Sequence, residues 1–124
     1  MYNKCFLIGR LVRDPEMRVT LSGITVTRFT IAVDRVRRKE GQEGVTDFLR
    51  VVCWRRLAEI CGEYMKKGKL VEVDGRLQVD TYEKEGQSRV SVEIVADNVQ
   101  MLDWGSPATD ADHSAMSPEQ LVES

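Results

Sequence analysis

The sequence predicts an all-β fold class: a five-stranded barrel with one short helix between the third and fourth strands. Three observations carry that prediction. Five segments alternate apolar and polar residues or run apolar, as strands do, whereas one segment repeats at i, i+3, i+4 and i+7, as a helix does. Gly75 falls in the middle of an alternating segment, where a barrel corner needs a sharp bend. The chain has 124 residues, enough for one domain and one core but not for two.

In chain order, residues 4–12 (KCFLIGRLV) form the first strand, with Gly9 expected at a bulge or bend. Asp14-Pro15-Glu16 is a turn, because proline presets φ at its second position. Residues 17–20 are a short extended piece before a second turn at Ser22-Gly23. The second strand, 24–36, sets Phe29, Ile31 and Val33 against Arg28, Thr30 and Asp34. Residues 35–44 (RVRRKEGQEG) form a charged, glycine-punctuated loop, ordinarily a solvated hairpin tip. The third strand is 46–54. Leu57, Ile60, Cys61 and Tyr64 mark the helix; Lys66 and Lys67 suit its carbonyl end and Gly68 suits a left-handed terminator. The fourth strand, 69–82, places Val71, Val73, Leu77 and Val79 opposite Glu72, Asp74, Arg76 and Gln78. A loop at 83–87 leads into the last strand, 89–102. The order β-β-β-α-β-β is that of an OB-fold barrel; a ferredoxin-like fold would need a second helix.

Composition changes after residue 103. Residues 104–124 are small, polar and aperiodic, and read as a short, disordered, acidic tail beyond a 1–103 domain. Residues 117–124 open like a helix but are too short to be stable alone. The formal net charge is −2, from 18 bases and 20 acids. Five of those acids lie from Asp103 onward, where there is no Lys or Arg, so the body is mildly basic. That balance is compatible with nucleic-acid binding without demanding it.

Catalysis is not expected. The single histidine, His113, lies in the tail, which excludes Ser-His-Asp and Cys-His arrangements within the body. No Cys/His cluster has metal-ligand spacing, and no glycine-rich phosphate loop is present. Cys5, Cys53 and Cys61 are widely spaced among apolar neighbours and read as buried free thiols. No cofactor or metal is expected. No apolar run is long enough to span a membrane, and Met1-Tyr2-Asn3-Lys4 opens no signal peptide, so a cytoplasmic protein is expected.

The anomaly is the third strand. Leu49, Val51 and Cys53 make one face; Phe48, Arg50, Val52 and Trp54 make the other, which continues into Arg55 and Arg56. A strand with one buried side should be polar on its other side unless that side binds something. Aromatic rings alternating with arginines suit a flat, anionic, stackable ligand, and single-stranded nucleic acid is the obvious candidate.

Six segments in order, 9–18 (GRLVRDPEMR), 22–23 (SG), 29–32 (FTIA), 54–59 (WRRLAE), 64–68 (YMKKG) and 73–77 (VDGRL), resemble the bacterial single-stranded DNA-binding proteins. The resemblance runs from about residue 3 to residue 102. It implies an OB-fold assembling as a homotetramer, at least a dimer, with single-stranded DNA wrapped on its surface in replication, recombination, repair or DNA uptake, in the nucleoid. The family's stacking positions fall on Phe48, Trp54 and Tyr82, and its phosphate contacts on Arg18, Arg50, Arg56, Lys67 and Arg89. Arg35 and Arg37 in the charged loop join the phosphate contacts, and Arg55 stands where the family often has glycine. The chain departs from the pattern at Val36-Arg37, where a further aromatic is common, and at Gln78 and Asp80, where bases are common. Leu70 and Glu72 differ at an expected subunit interface. The tail ends in EQLVES, without the family's apolar-aromatic tip, so weak or absent recruitment of replication and repair partners through it is expected. These departures suggest an accessory paralogue. The alternative is a primosome-type OB-fold adaptor acting mainly through protein–protein contacts.

Overall fold

A computed structural model describes residues 1–36 and 44–102. Arg37 and the predicted tail lie outside the described residues. The elements are β1 (Cys5–Leu11), β2 (Glu16–Val19), β3 (Thr25–Asp34), β4 (Thr46–Trp54), α1 (Arg55–Tyr64), β5 (Leu70–Lys84) and β6 (Gln87–Met101). All five expected strands are present, as β1, β3, β4, β5 and β6. The short extended piece is a strand in its own right, β2, paired with β3 from Glu16↔Arg28 to Val19↔Thr25. The expected third and fourth strands are therefore β4 and β5, and the helix lies between them as expected.

The pairings close on themselves. β1 pairs with β5, β5 with β6, β6 in parallel with β4, and β4 with β3. β3 then returns to β1 through Arg10↔Ala32 and Leu11↔Ile31. This ring is the OB-fold arrangement, and β2 stands outside it on the far edge of β3.

Two glycines permit the closure. Gly75 sits at a register shift between β5 and β6, and a Cβ there would strike the carbonyl oxygen of Val95. The bend expected from the sequence is this bulge. Gly9 is different: the β1–β5 register runs through it without interruption. A Cβ at Gly9 would come within 2.5 Å of the Ala32 carbonyl oxygen, so this glycine admits β3 against β1 rather than bulging the strand.

The core is filled by the inward parity of each strand: Phe29 and Ile31, Val51 and Cys53, Val71 and Val73, and Ile94. α1 plugs it with Ala58 and Cys61, followed by Met65. Thr27, fully buried on β3, donates its hydroxyl to the Ala58 carbonyl at 2.7 Å and ties the barrel to the helix. The helix ends earlier than its lysines suggest. Met65 is extended (φ −86°, ψ 145°) and buried, so the chain leaves the helix to seat that side chain. Lys66, Lys67 and Gly68 lie in the following turn, closed by Lys69 N–H to the Lys66 carbonyl; Gly68 (φ 89°) serves that turn and not the helix end.

The β5–β6 hairpin outruns the barrel. Its strands continue to Lys84 and Gln87, joined by a two-residue turn in which Glu85 (φ 55°) and Gly86 (φ 76°) are both left-handed, as a type I′ turn requires. Leu77 and Val79 keep core parity but are exposed because they stand on this projecting arm.

Candidate nucleic-acid interface

Directly paired residues of neighbouring strands share a face, so the register shows what accompanies the outer side of β4. Trp54 lies opposite Val26, and Val26 lies opposite Arg18 of β2. Val52 faces Arg28, Arg50 faces Thr30, and Phe48 faces Ala32. On the hairpin, Tyr82 pairs with Arg89. Phe48, Trp54 and Tyr82 are 65%, 41% and 47% exposed, respectively, although aromatic side chains of this size are usually kept from water. The expected platforms are thus open surface rings, two on one strand and one on the projecting arm.

Val52 departs from its neighbours. It has outward parity yet is only 2% exposed, packed with Val26 and Val95 in a small cluster on the outer face. That cluster forms a firm apolar floor between the rings.

Five of the described arginines have carboxylate partners. Arg18 is held by Glu16, Arg35 by Asp47 in a two-pronged pair at 3.0 Å, and Arg56 by Glu59 at 3.7 Å. Arg28 and Arg76, which sequence reasoning did not select, are paired with Glu93 at 3.1 Å and Asp97 at 3.4 Å. Among the described residues, Arg50 bonds only the Ser91 hydroxyl, at 2.9 Å, and Arg89 and the Lys67 side chain have no carboxylate partner. The Lys67 backbone N–H donates to Asp14 at 2.8 Å, which sets this lysine beside the β1–β2 connection rather than beside the rings. The hydrogen bonds from Arg35 hold the Asp47 carboxyl below the ordinary aspartate range. The signal for Arg28 was already in the sequence, in its parity opposite Phe29; its partner Glu93 could come only from the register.

The end of β4 concentrates positive charge. Trp54 caps α1 without a side-chain hydrogen bond, and the first turn holds Arg55 and Arg56 and no acid. The amino end of a helix is already positive, so two arginines there oppose folding and favour a bound anion. Arg55 also has φ 61°, a conformation natural to glycine and costly for arginine.

Cys53 and Cys61 are buried thiols. The Cys53 thiol lies against Cys61 and the Thr27 carbonyl, and contact with Cys53 together with burial pushes the Cys61 thiol well up, so it stays protonated. Among the described residues no cluster of His, Cys, Asp or Glu is placed to hold a metal, and no helix is long and apolar enough to cross a membrane.

A ring of five strands closed by one helix, with exposed aromatics and arginines on the outer side of β4, defines an OB-fold module. The model of the single-strand binding protein family matches residues 2–102, and the chain belongs to that family. It is 52% identical over 105 residues to the single-stranded DNA-binding protein of Thermotoga maritima, covering 82% of this chain and 74% of that one. It is 46% identical over 121 residues to single-stranded DNA-binding protein 3 of Clostridium acetobutylicum, covering 96% and 81%. The crystal structure of a deletion mutant of the single-stranded DNA binding protein from Thermus aquaticus matches with a TM-score of 0.72 at 34% identity. That match covers 82% of this chain and 51% of the other, so the chain spans about half the length of that protein.

Proposed function

We propose that this protein binds single-stranded DNA, with stacking on Phe48, Trp54 and Tyr82 as the main source of affinity and arginine–phosphate contacts in support. It acts by binding rather than catalysis, covering exposed strands in replication, recombination, repair or DNA uptake. The observation that carries the reading is the shared outer face of β4, where Phe48 and Trp54 stand open on either side of Arg50, a cation with no carboxylate partner among the described residues. Stacking accepts any base, because every base has a π face.

Titrating the protein with oligothymidine should quench Trp54 fluorescence, and affinity should fall as salt rises, because each phosphate contact releases condensed counterions. Because Arg18, Arg35 and Arg56 are already paired internally, the salt slope should be shallower than the number of arginines suggests. Absence of both quenching and salt-sensitive binding would overturn the reading and favour a protein–protein adaptor.

The proposal includes a homotetramer in the cytoplasm, on nucleoid DNA. Two features of β1 support assembly. Its outer face exposes Phe6 and Ile8, and only Arg10 and Leu11 of the strand pair with β3, which leaves an open edge before them. Light scattering should return about four times the 14.1 kDa chain mass, and a monomer would remove this part of the proposal.

A further inference from the structure

The projecting β5–β6 arm carries Tyr82 and its partner Arg89 away from the barrel, and its root is a bend. β5 pairs with β1 only as far as Cys5↔Gly75, where the β5–β6 register also shifts. β6 pairs with β4 only at Ile94 and Val95. Beyond Leu77↔Ile94 the arm is therefore a two-stranded ribbon among the described residues, and such ribbons are marginal in water. Tyr82 stands seven residues beyond Gly75, about 24 Å at the antiparallel rise. A swing of about 10° at the bend would move the ring by about 4 Å, a full atomic contact distance.

Asn3 meets β5 just past this bend. It stands two residues before Cys5, and Leu77 stands two residues beyond Gly75, so the two continue the β1–β5 ladder. Here a side chain takes the place of a backbone partner. Asn3 Nδ2 donates to the Leu77 carbonyl at 2.7 Å, and the Leu77 N–H donates to Asn3 Oδ1 at 2.9 Å. An amide offers a donor and an acceptor on one planar group, which is what the N–H and C=O of a single residue require. The other side of the arm is held through arginines. Arg28 of β3 pairs with Glu93, and Arg50 of β4 bonds the Ser91 hydroxyl. Arg50 is also the proposed phosphate contact, so a bound strand competes for it. The Asn3 pair is neutral and calls on no cation that a phosphate would engage.

We propose that Asn3 is the positioning residue of the arm: its two hydrogen bonds across the Gly75 bend fix the angle at which Tyr82 and Arg89 meet a bound strand. The inference rests on the proposed DNA binding and goes beyond it, because Asn3 acts through the arm and not by contact with DNA.

The test is a mutant cycle read by anisotropy of an end-labelled oligothymidine. Asn3→Ala should weaken binding about fivefold, the lower end of the ~5- to 150-fold that one stacked base is worth. Asn3→Leu, which keeps the branched shape but loses both hydrogen bonds, should weaken it as much. In a Tyr82→Ala/Arg89→Ala background the arm has neither ring nor cation, and there neither change at Asn3 should cost more than about twofold. A general loosening of the fold would instead weaken both backgrounds alike. Thermal melting checks that each variant is folded, and Asn3→Leu decides alone if Asn3→Ala is not. Full affinity in folded Asn3→Leu overturns the inference, and so does an equal loss in both backgrounds. Unchanged affinity in the Tyr82→Ala/Arg89→Ala protein overturns it too while leaving DNA binding intact. Failure of the unmodified protein to bind oligothymidine overturns the function proposed above.

Discussion

Replacing Phe48 and Trp54 together by alanine separates stacking from electrostatics. Each stacked base is worth ~1–3 kcal/mol by alanine substitution. The two rings lie about 20 Å apart along one strand and share no partner residue in the β3–β4 register, so their losses should add. The double variant should bind oligothymidine roughly 30-fold to 10⁴-fold more weakly. Folding should suffer less. Phe48 is 65% exposed and its truncation costs about 0.5–1 kcal/mol of burial, whereas the 41% exposed Trp54 costs more. Arg50, Arg89 and Lys67 are untouched, so the slope of affinity against salt should stay the same while affinity drops. The assay is anisotropy of a labelled oligothymidine at several salt concentrations, with thermal melting alongside. A folded double variant that retains affinity within about threefold, against a loss of at least ~2 kcal/mol, would show that the platform lies elsewhere.

Asp47→Asn should release Arg35 for phosphate contact, tightening binding and steepening the salt slope by about 0.7; an unchanged slope would mean that Arg35 does not face the strand. The same pair has a pH signature. Because Arg35 depresses the folded-state pKa of Asp47, its stabilisation is present above the ordinary aspartate pKa and is lost as pH falls through the lower folded value. The urea midpoints of the unmodified and Asp47→Asn proteins should therefore converge in strong acid; the difference is small because the pair is exposed. Arg55→Gly should stabilise the fold by about 0.5–1 kcal/mol, the left-handed strain relieved less the added freedom of the unfolded chain, read as a raised melting temperature. Gly75→Ala should destabilise by about 1–3 kcal/mol, because its Cβ meets the Val95 carbonyl oxygen, read by urea unfolding.

Much of the candidate site was legible in the chain because parity along a strand is a local property. Phe48, Arg50 and Trp54 alternate with Leu49, Val51 and Cys53, and that period alone placed three of them outside. The same rule misjudged Val52, which has outward parity but is covered by Val26 and Val95 from neighbouring strands. Lys66 and Lys67 were assigned to the helix end by their charge, but Met65 needed a place in the core and ended the helix first. Gly9 looked like a bulge, and the need it serves is the approach of a strand more than 20 positions away in sequence.

What the sequence determined by itself follows from short-range rules: the number and order of the main strands, the single helix, the hairpin turn, the open rings and the six family segments. What only the tertiary structure decided depends on register between distant strands. It closes the ring through the two β1–β3 pairs and neutralises part of the basic face by setting Glu93, Asp97 and Asp47 beside Arg28, Arg76 and Arg35. It also brings Arg28 of β3 and Glu93 of β6 together. Alternation records which side a residue faces, whereas its neighbours across the sheet are chosen by packing far along the chain, and the charges and hollows of the binding face are properties of those neighbours.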